Sequence, residues 1–92
     1  MAKFIDGKTY NKITHLCDLL VLLNNALADE RPDVSVAWDV FCDGIFSMSI
    51  INVKNEHPCE VKEWFFRDDK DNAEYNAMIE QINEWEARYG LQ

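Results

Sequence analysis

The stretch VSVAWDVFCDGIFSMSIINV, residues 34–53, decides the fold. Val34, Val36, Trp38, Val40 and Cys42 alternate with Ser35, Ala37, Asp39, Phe41 and Asp43, and a period of two gives a strand with one apolar face. Asp43-Gly44 is the sequence signal for a tight hairpin turn whose central residues need positive φ, so residues 45–53 return as the partner strand. A two-residue loop sets Cys42 opposite Ile45, Val40 opposite Ser47 and Trp38 opposite Ser49, the large indole over a small hydroxyl. That register leaves Phe41, Phe46, Met48 and Ile50 on the second face, too apolar for water, and predicts that both faces are partly covered.

Toward the C-terminus, Asn55-Glu56-His57-Pro58 is a loop, and Cys59 to Arg67 is predicted as a third strand with Val61 and Phe65 on one face and Trp64 and Phe66 on the other. Asp71 with Glu74 three residues on forms a capping-box variant ahead of Tyr75, Met78, Ile79, Ile82, Trp85 and Tyr89, which share one helical stripe that Gly90 ends. Toward the N-terminus, Pro32 stops a helix over Asn11 to Ala28, whose Ile13, Leu16, Cys17, Leu20, Leu23 and Leu27 line one face. Leu19, Val21, Leu22 and Ala26 widen that stripe and predict either a homodimer contact or cover by an N-terminal hairpin turned at Asp6-Gly7 within Lys3 to Tyr10.

The resulting fold is α+β: a three-stranded antiparallel sheet with two helices in the order helix-strand-strand-strand-helix, one domain over residues 1–92. Trp38, Leu16, Leu20, Ile79 and Ile82 are expected in its core. A chain of 92 residues has too little interior for two cores, and 48% hydrophobic content is enough to build one.

Charge narrows the function. Nine Lys and Arg against 17 Asp and Glu, a net of -8, argue against direct binding of nucleic acid, which requires a basic face. The apolar run Leu19 to Leu23 falls far short of the roughly 20 residues that cross a bilayer. The start of the chain does not read as a secretion signal, and three cysteines, an odd number, are expected as free thiols in the cytoplasm.

Catalytic constellations are weak. His15 and Cys17 are two apart on a helix and point to different faces, and Cys42 and Cys59 fall at opposite ends of the sheet, so no metal site or cofactor is expected from either His-x-Cys pair. Ser35, Ser47 and Ser49 lie within strands with no nucleophile elbow, and a Cys59–His57 dyad has no third group to orient the imidazole. Asp69-Lys70-Asp71-Asn72 opens like a calcium loop but has Glu74 where the turn needs glycine. Glu60-Val61-Lys62 on the third strand resembles the E-x-K of the PD-(D/E)xK nucleases, which implies magnesium held by Glu60 with Asp39 or Asp43. The acidic surface opposes the DNA grip such an enzyme needs, and the chain is expected not to be an enzyme.

What stands out is the distribution of acid. Residues 1–12 carry three lysines against one aspartate, whereas residues 54–92 carry ten acids against five bases. Asp68, Asp69, Asp71 and Glu74 gather at the start of the last helix, Glu80 and Glu84 follow on its outward face, and Glu60 and Glu63 lie on the preceding strand. Part of this pattern stabilises the helix N-terminus, and Arg88 offsets Glu84 at i,i+4. In size, acidity and element order the chain resembles small phage-encoded inhibitors of host defence, including anti-CRISPR proteins of the DNA-mimic type. The resemblance implies stoichiometric blocking of the nucleic-acid site of a host nuclease, and the convergence of these carboxylates on one helix start and one outward face, with Glu60 and Glu63 beside them, makes all eight the expected contacts to a basic groove. The alternative is an adaptor or structural subunit using an apolar patch, either Trp64 with Phe66 or the leucines of the first helix.

Overall fold

A computed structural model describes residues 7–41, 44–65 and 73–90. The elements are α1 (Gly7–Glu30), β1 (Val34–Val40), β2 (Ile45–Asn52), β3 (Pro58–Phe65) and α2 (Ala73–Arg88). The strands form one antiparallel sheet in the order β1-β2-β3, so the α+β class and the helix-strand-strand-strand-helix order are as the sequence predicts.

The hairpin register differs from the expectation by one residue. Val40 pairs with Phe46, Trp38 with Met48 and Ala37 with Ser49. The Phe41 amide donates to the Ile45 carbonyl at 2.8 Å and the Gly44 amide to the Phe41 carbonyl at 3.1 Å, which leaves three residues in the loop instead of two. Gly44 takes φ of 100°, the single left-handed residue such a loop needs before the strand resumes. Because side chains alternate across a sheet, this one-residue slip turns Phe46, Met48 and Ile50 toward the helices rather than away from them.

All three are fully buried there. They join Ile13, Leu16, Leu20, Leu23 and Leu27 of α1, Val34 and Val36 of β1, Trp64 of β3, and Met78, Ile82 and Trp85 of α2 in one core. Both helices therefore pack on the same face; among the described residues the sheet's other face carries no fully buried side chain, and Ala37, Ile45 and Ile51 there are half-buried. Trp38 and Ile79 are half-buried rather than core. Along the edge strand β1, burial fades from Val34 and Val36 through Trp38 to Val40, which is 42% exposed, as the strand runs out from beneath the helices.

The N-terminal hairpin is also corrected in part: Gly7 to Tyr10 are helical, and residues 1–6 lie outside the described residues. Once the stripe from Ile13 to Leu27 is docked, each further residue ordered adds one backbone bond, so the helix extends back through Gly7. At its other end the Asn24 side chain accepts from the Val36 amide at 3.2 Å, satisfying an edge-strand donor. Arg31 brackets Asp33 with bonds of 3.0 and 2.9 Å and lies 5.2 Å from the Tyr89 ring, tying the α1 exit to the end of α2. Gly90, with φ of 70°, caps α2 through its amide on the Ala87 carbonyl at 3.2 Å.

Candidate functional site

The periodicity of α2 turns Met78, Ile82 and Trp85 inward, and Glu80, two residues from both Met78 and Ile82, projects to the opposite side. Glu74, Glu80 and Glu84 are all exposed. Glu74 occupies the first turn, where a carboxylate complements the helix dipole. Beside it a shallow cleft of about 170 Å³ separates α2 from β3, lined by Lys62, Glu63, Glu74, Ala77, Met78 and Gln81. Glu80 thus stands on the face of α2 away from the core, whereas Glu74, one turn before Met78 on the same stripe, stands at the cleft with Glu63 and Lys62. Asp68, Asp69 and Asp71 lie outside the described residues.

Glu60 and Glu84 both bond Arg88. Glu60, half-buried on the helix-facing side of β3, accepts from the Arg88 Nη1 at 2.7 Å and from the Trp85 indole at 3.1 Å. Arg88 also bonds Glu84, its Nε reaching Oε2 at 2.9 Å and its Nη2 pairing with Oε1. Hydrogen bonding from Arg88, with a smaller part from Trp85, holds the Glu60 carboxyl below the usual glutamate range. The i,i+4 pairing of Glu84 with Arg88 is legible in the sequence. Glu60, 28 residues away, enters only through tertiary packing, and no local spacing announces it.

With Asp39 as the second carboxylate, the nuclease constellation is not assembled on one face. Glu60 and Lys62 alternate onto the helix side of β3, Asp39 onto the outer side of β1, and Asp43 lies outside the described residues. No group of three His, Cys, Asp or Glu side chains able to hold a metal occurs among the described residues. Cys17 and Cys59 are free thiols. Burial pushes the Cys17 thiol up, away from thiolate reactivity, and the Cys59 sulfur contacts the His57 carbonyl at 4.0 Å rather than the imidazole. Cys42 and the sequence Asp69 to Asn72 lie outside the described residues.

The aromatic patch expected of an adaptor is corrected as well. Trp64 is fully buried, its ring 6.3 Å from Phe46 and 5.9 Å from Tyr75, and Phe66 lies outside the described residues. On α1, Leu19 packs partly against the core while Val21 and Leu22 remain exposed. A second hollow of about 340 Å³, between the end of α1 and β1, is lined by Asn24, Asn25, Ala28, Pro32, Val34, Ser35 and Val53 and contains no ionisable side chain.

No family model matches the chain, and no curated protein or solved structure matches it significantly. Among the described residues no helix is long and apolar enough to cross a membrane.

Proposed function

We propose that this chain is a non-catalytic, stoichiometric inhibitor of the DNA-mimic type, which sets the acidic side of α2 against the basic nucleic-acid groove of a cytoplasmic protein partner, in the manner of phage inhibitors of host nucleases. The observation that supports this reading most is the projection of Glu80 from α2 away from the core, with Glu74 exposed at the first turn of the same helix, in a chain of net charge -8. Glu63 across the cleft adds to that field, and Asp68, Asp69 and Asp71 precede it in sequence. Glu60 and Glu84 serve to anchor Arg88, so Glu80, on the outward face of α2, is the carboxylate of that helix best placed to meet the partner. An acidic surface of this kind associates quickly and weakens as salt screens it.

Tagged chain incubated with host lysate should capture a nucleic-acid-binding protein at low salt, release it at high salt, and displace that protein's DNA or RNA. Glu74→Lys with Glu80→Lys should abolish capture. Undiminished capture by this variant would mean that the acid serves only solubility, and the adaptor reading would replace this one. The chain should also leave plasmid and branched DNA intact in magnesium or manganese; cleavage lost on Glu60→Ala would establish the nuclease instead.

A further inference from the structure

The sheet face turned away from both helices carries two side-chain rows of which the inhibitor reading uses only Glu63. The observed register places Phe41, Ile45 and Phe65 side by side across the three strands, and places Asp39, Ser47 and Glu63 in the row behind them. Phe41 and Phe65 are 47% and 45% exposed, far more than their apolar rings favour. Asp39 and Glu63 are exposed and have no hydrogen-bond or ion-pair partner among the described residues. With strands roughly 4.8 Å apart, their backbones stand about 10 Å from each other, with the small Ser47 between them.

No Lys or Arg occupies an outward position on the three strands; Lys62 alternates to the helix side. Elsewhere in the same molecule the matching chemistry is complete: Arg31 is held by Asp33 and lies over the Tyr89 ring. Among the described residues, the outer sheet face has the carboxylates and the aromatic rings of that arrangement without its cation. A second copy of the chain is a poor occupant, because each copy carries a net charge of -8 and the acidic row would meet its like.

We propose that this face docks an arginine-bearing amphipathic segment of a protein partner, apolar side chains resting on Phe41, Ile45 and Phe65 and guanidinium groups reaching Asp39 and Glu63. Arginine suits the site because its stem lies on apolar surface, its plane stacks on aromatic rings and its fork matches a carboxylate. The segment's other polar groups stay in water at the open edges of the face. The surface shares Glu63 with the acidic side of α2 but includes neither Glu74 nor Glu80, so this inference stands whether or not the inhibitor reading does.

The test is a titration of the full chain, labelled with nitrogen-15, with a synthetic peptide of alternating leucine and arginine, and in parallel with its leucine–glutamate counterpart. The arginine peptide should shift the amides of Asp39, Phe41, Ile45, Ser47, Glu63 and Phe65 saturably, and the glutamate peptide should not. Asp39→Asn with Glu63→Gln should weaken binding about tenfold, the loss of two exposed charge contacts. Phe65→Thr should weaken it comparably, and Glu74→Gln with Glu80→Gln should leave it within about twofold. Dispersed amide spectra identify the variants that remain folded, and the two independent lesions keep the test decisive if one fails to fold. Shifts confined to α2, equal response to both peptides, no saturable shift, or sedimentation of the free chain as a dimer occluding Phe41 and Phe65 would each overturn the proposal.

Discussion

The Trp85 indole donates to the Glu60 carboxylate at 3.1 Å, and this bond joins the last turn of α2 to the edge strand β3. The indole is fully buried, so its N–H has no water to turn to, and Glu60 supplies the acceptor that burial demands. The other oxygen of Glu60 takes the Arg88 guanidinium, which Glu84 holds from its far side. A carboxylate that reads in the sequence as a surface contact is thus a fastener between two elements.

Removing that acceptor should therefore cost folding stability rather than binding. Glu60→Ala leaves the buried indole donor unsatisfied and should destabilise the chain by about 1–3 kcal/mol in urea denaturation. Glu60→Gln keeps an amide oxygen for the indole and should cost clearly less. Glu80→Gln, on the solvent side of α2, should stay within about 0.5 kcal/mol. Equal effects for Glu60→Ala and Glu80→Gln would show that the bond carries no stability.

Acid should reach the same bond. Arg88, with Trp85 behind it, lowers the Glu60 carboxyl in the folded state, so the unfolded chain binds that proton more readily. The contribution is present above the unfolded glutamate value, about 4.3, and is lost as pH falls through the lower folded one. Asp33, held down by Arg31, acts in the same direction. Stability measured on descending from pH 6 should therefore drop below about pH 4, and Glu60→Gln should flatten that arm without abolishing it. An unchanged acid arm in the variant would remove Glu60 as a cause.

Periodicity and composition carried the sequence reading as far as they physically can. The leucine stripe of α1, the alternation of Val34 and Val36, and the apolar stripe of α2 are local patterns, and each element lies where its pattern predicts. Register is different: it depends on one loop residue, and Asp43-Gly44 suits both a two-residue loop and the three-residue loop that forms. The decisive clue was present in Phe46, Met48 and Ile50, whose apolar spacing demands a buried face that only the longer loop provides. The Glu60–Arg88 bond was invisible because its partners are 28 residues apart and meet only when α2 docks.

The loop makes its own prediction. Gly44 sits at φ of 100°, where a Cβ is strained, so Gly44→Ala should destabilise the fold by about 1–2 kcal/mol. Escape to the shorter loop is closed, because it would turn Phe46, Met48 and Ile50 into water. A thermal melt of Gly44→Ala superimposing on that of the parent would refute the three-residue loop.

The last prediction concerns α1, whose surplus of leucine suggests a homodimer. The structure spends part of that surplus: Leu19 packs against the core, and the exposed apolar side chains left on the described part of the helix are Tyr10 at 62%, Val21 at 45% and Leu22 at 65%. A stable interface buries about 800 Å² from each partner around a well-packed apolar centre. Three scattered side chains, with Asp18 and Asn25 exposed on the same outward side, fall short of such a centre, and a net charge of -8 on each copy adds repulsion. Sedimentation should accordingly give the 10.8 kDa of one chain. Leu22→Glu should change neither that mass nor the stability by more than about 0.5 kcal/mol. A doubled mass that returns to the single value on Leu22→Glu would instead establish a dimer through α1, with the outward face of that helix as its seam.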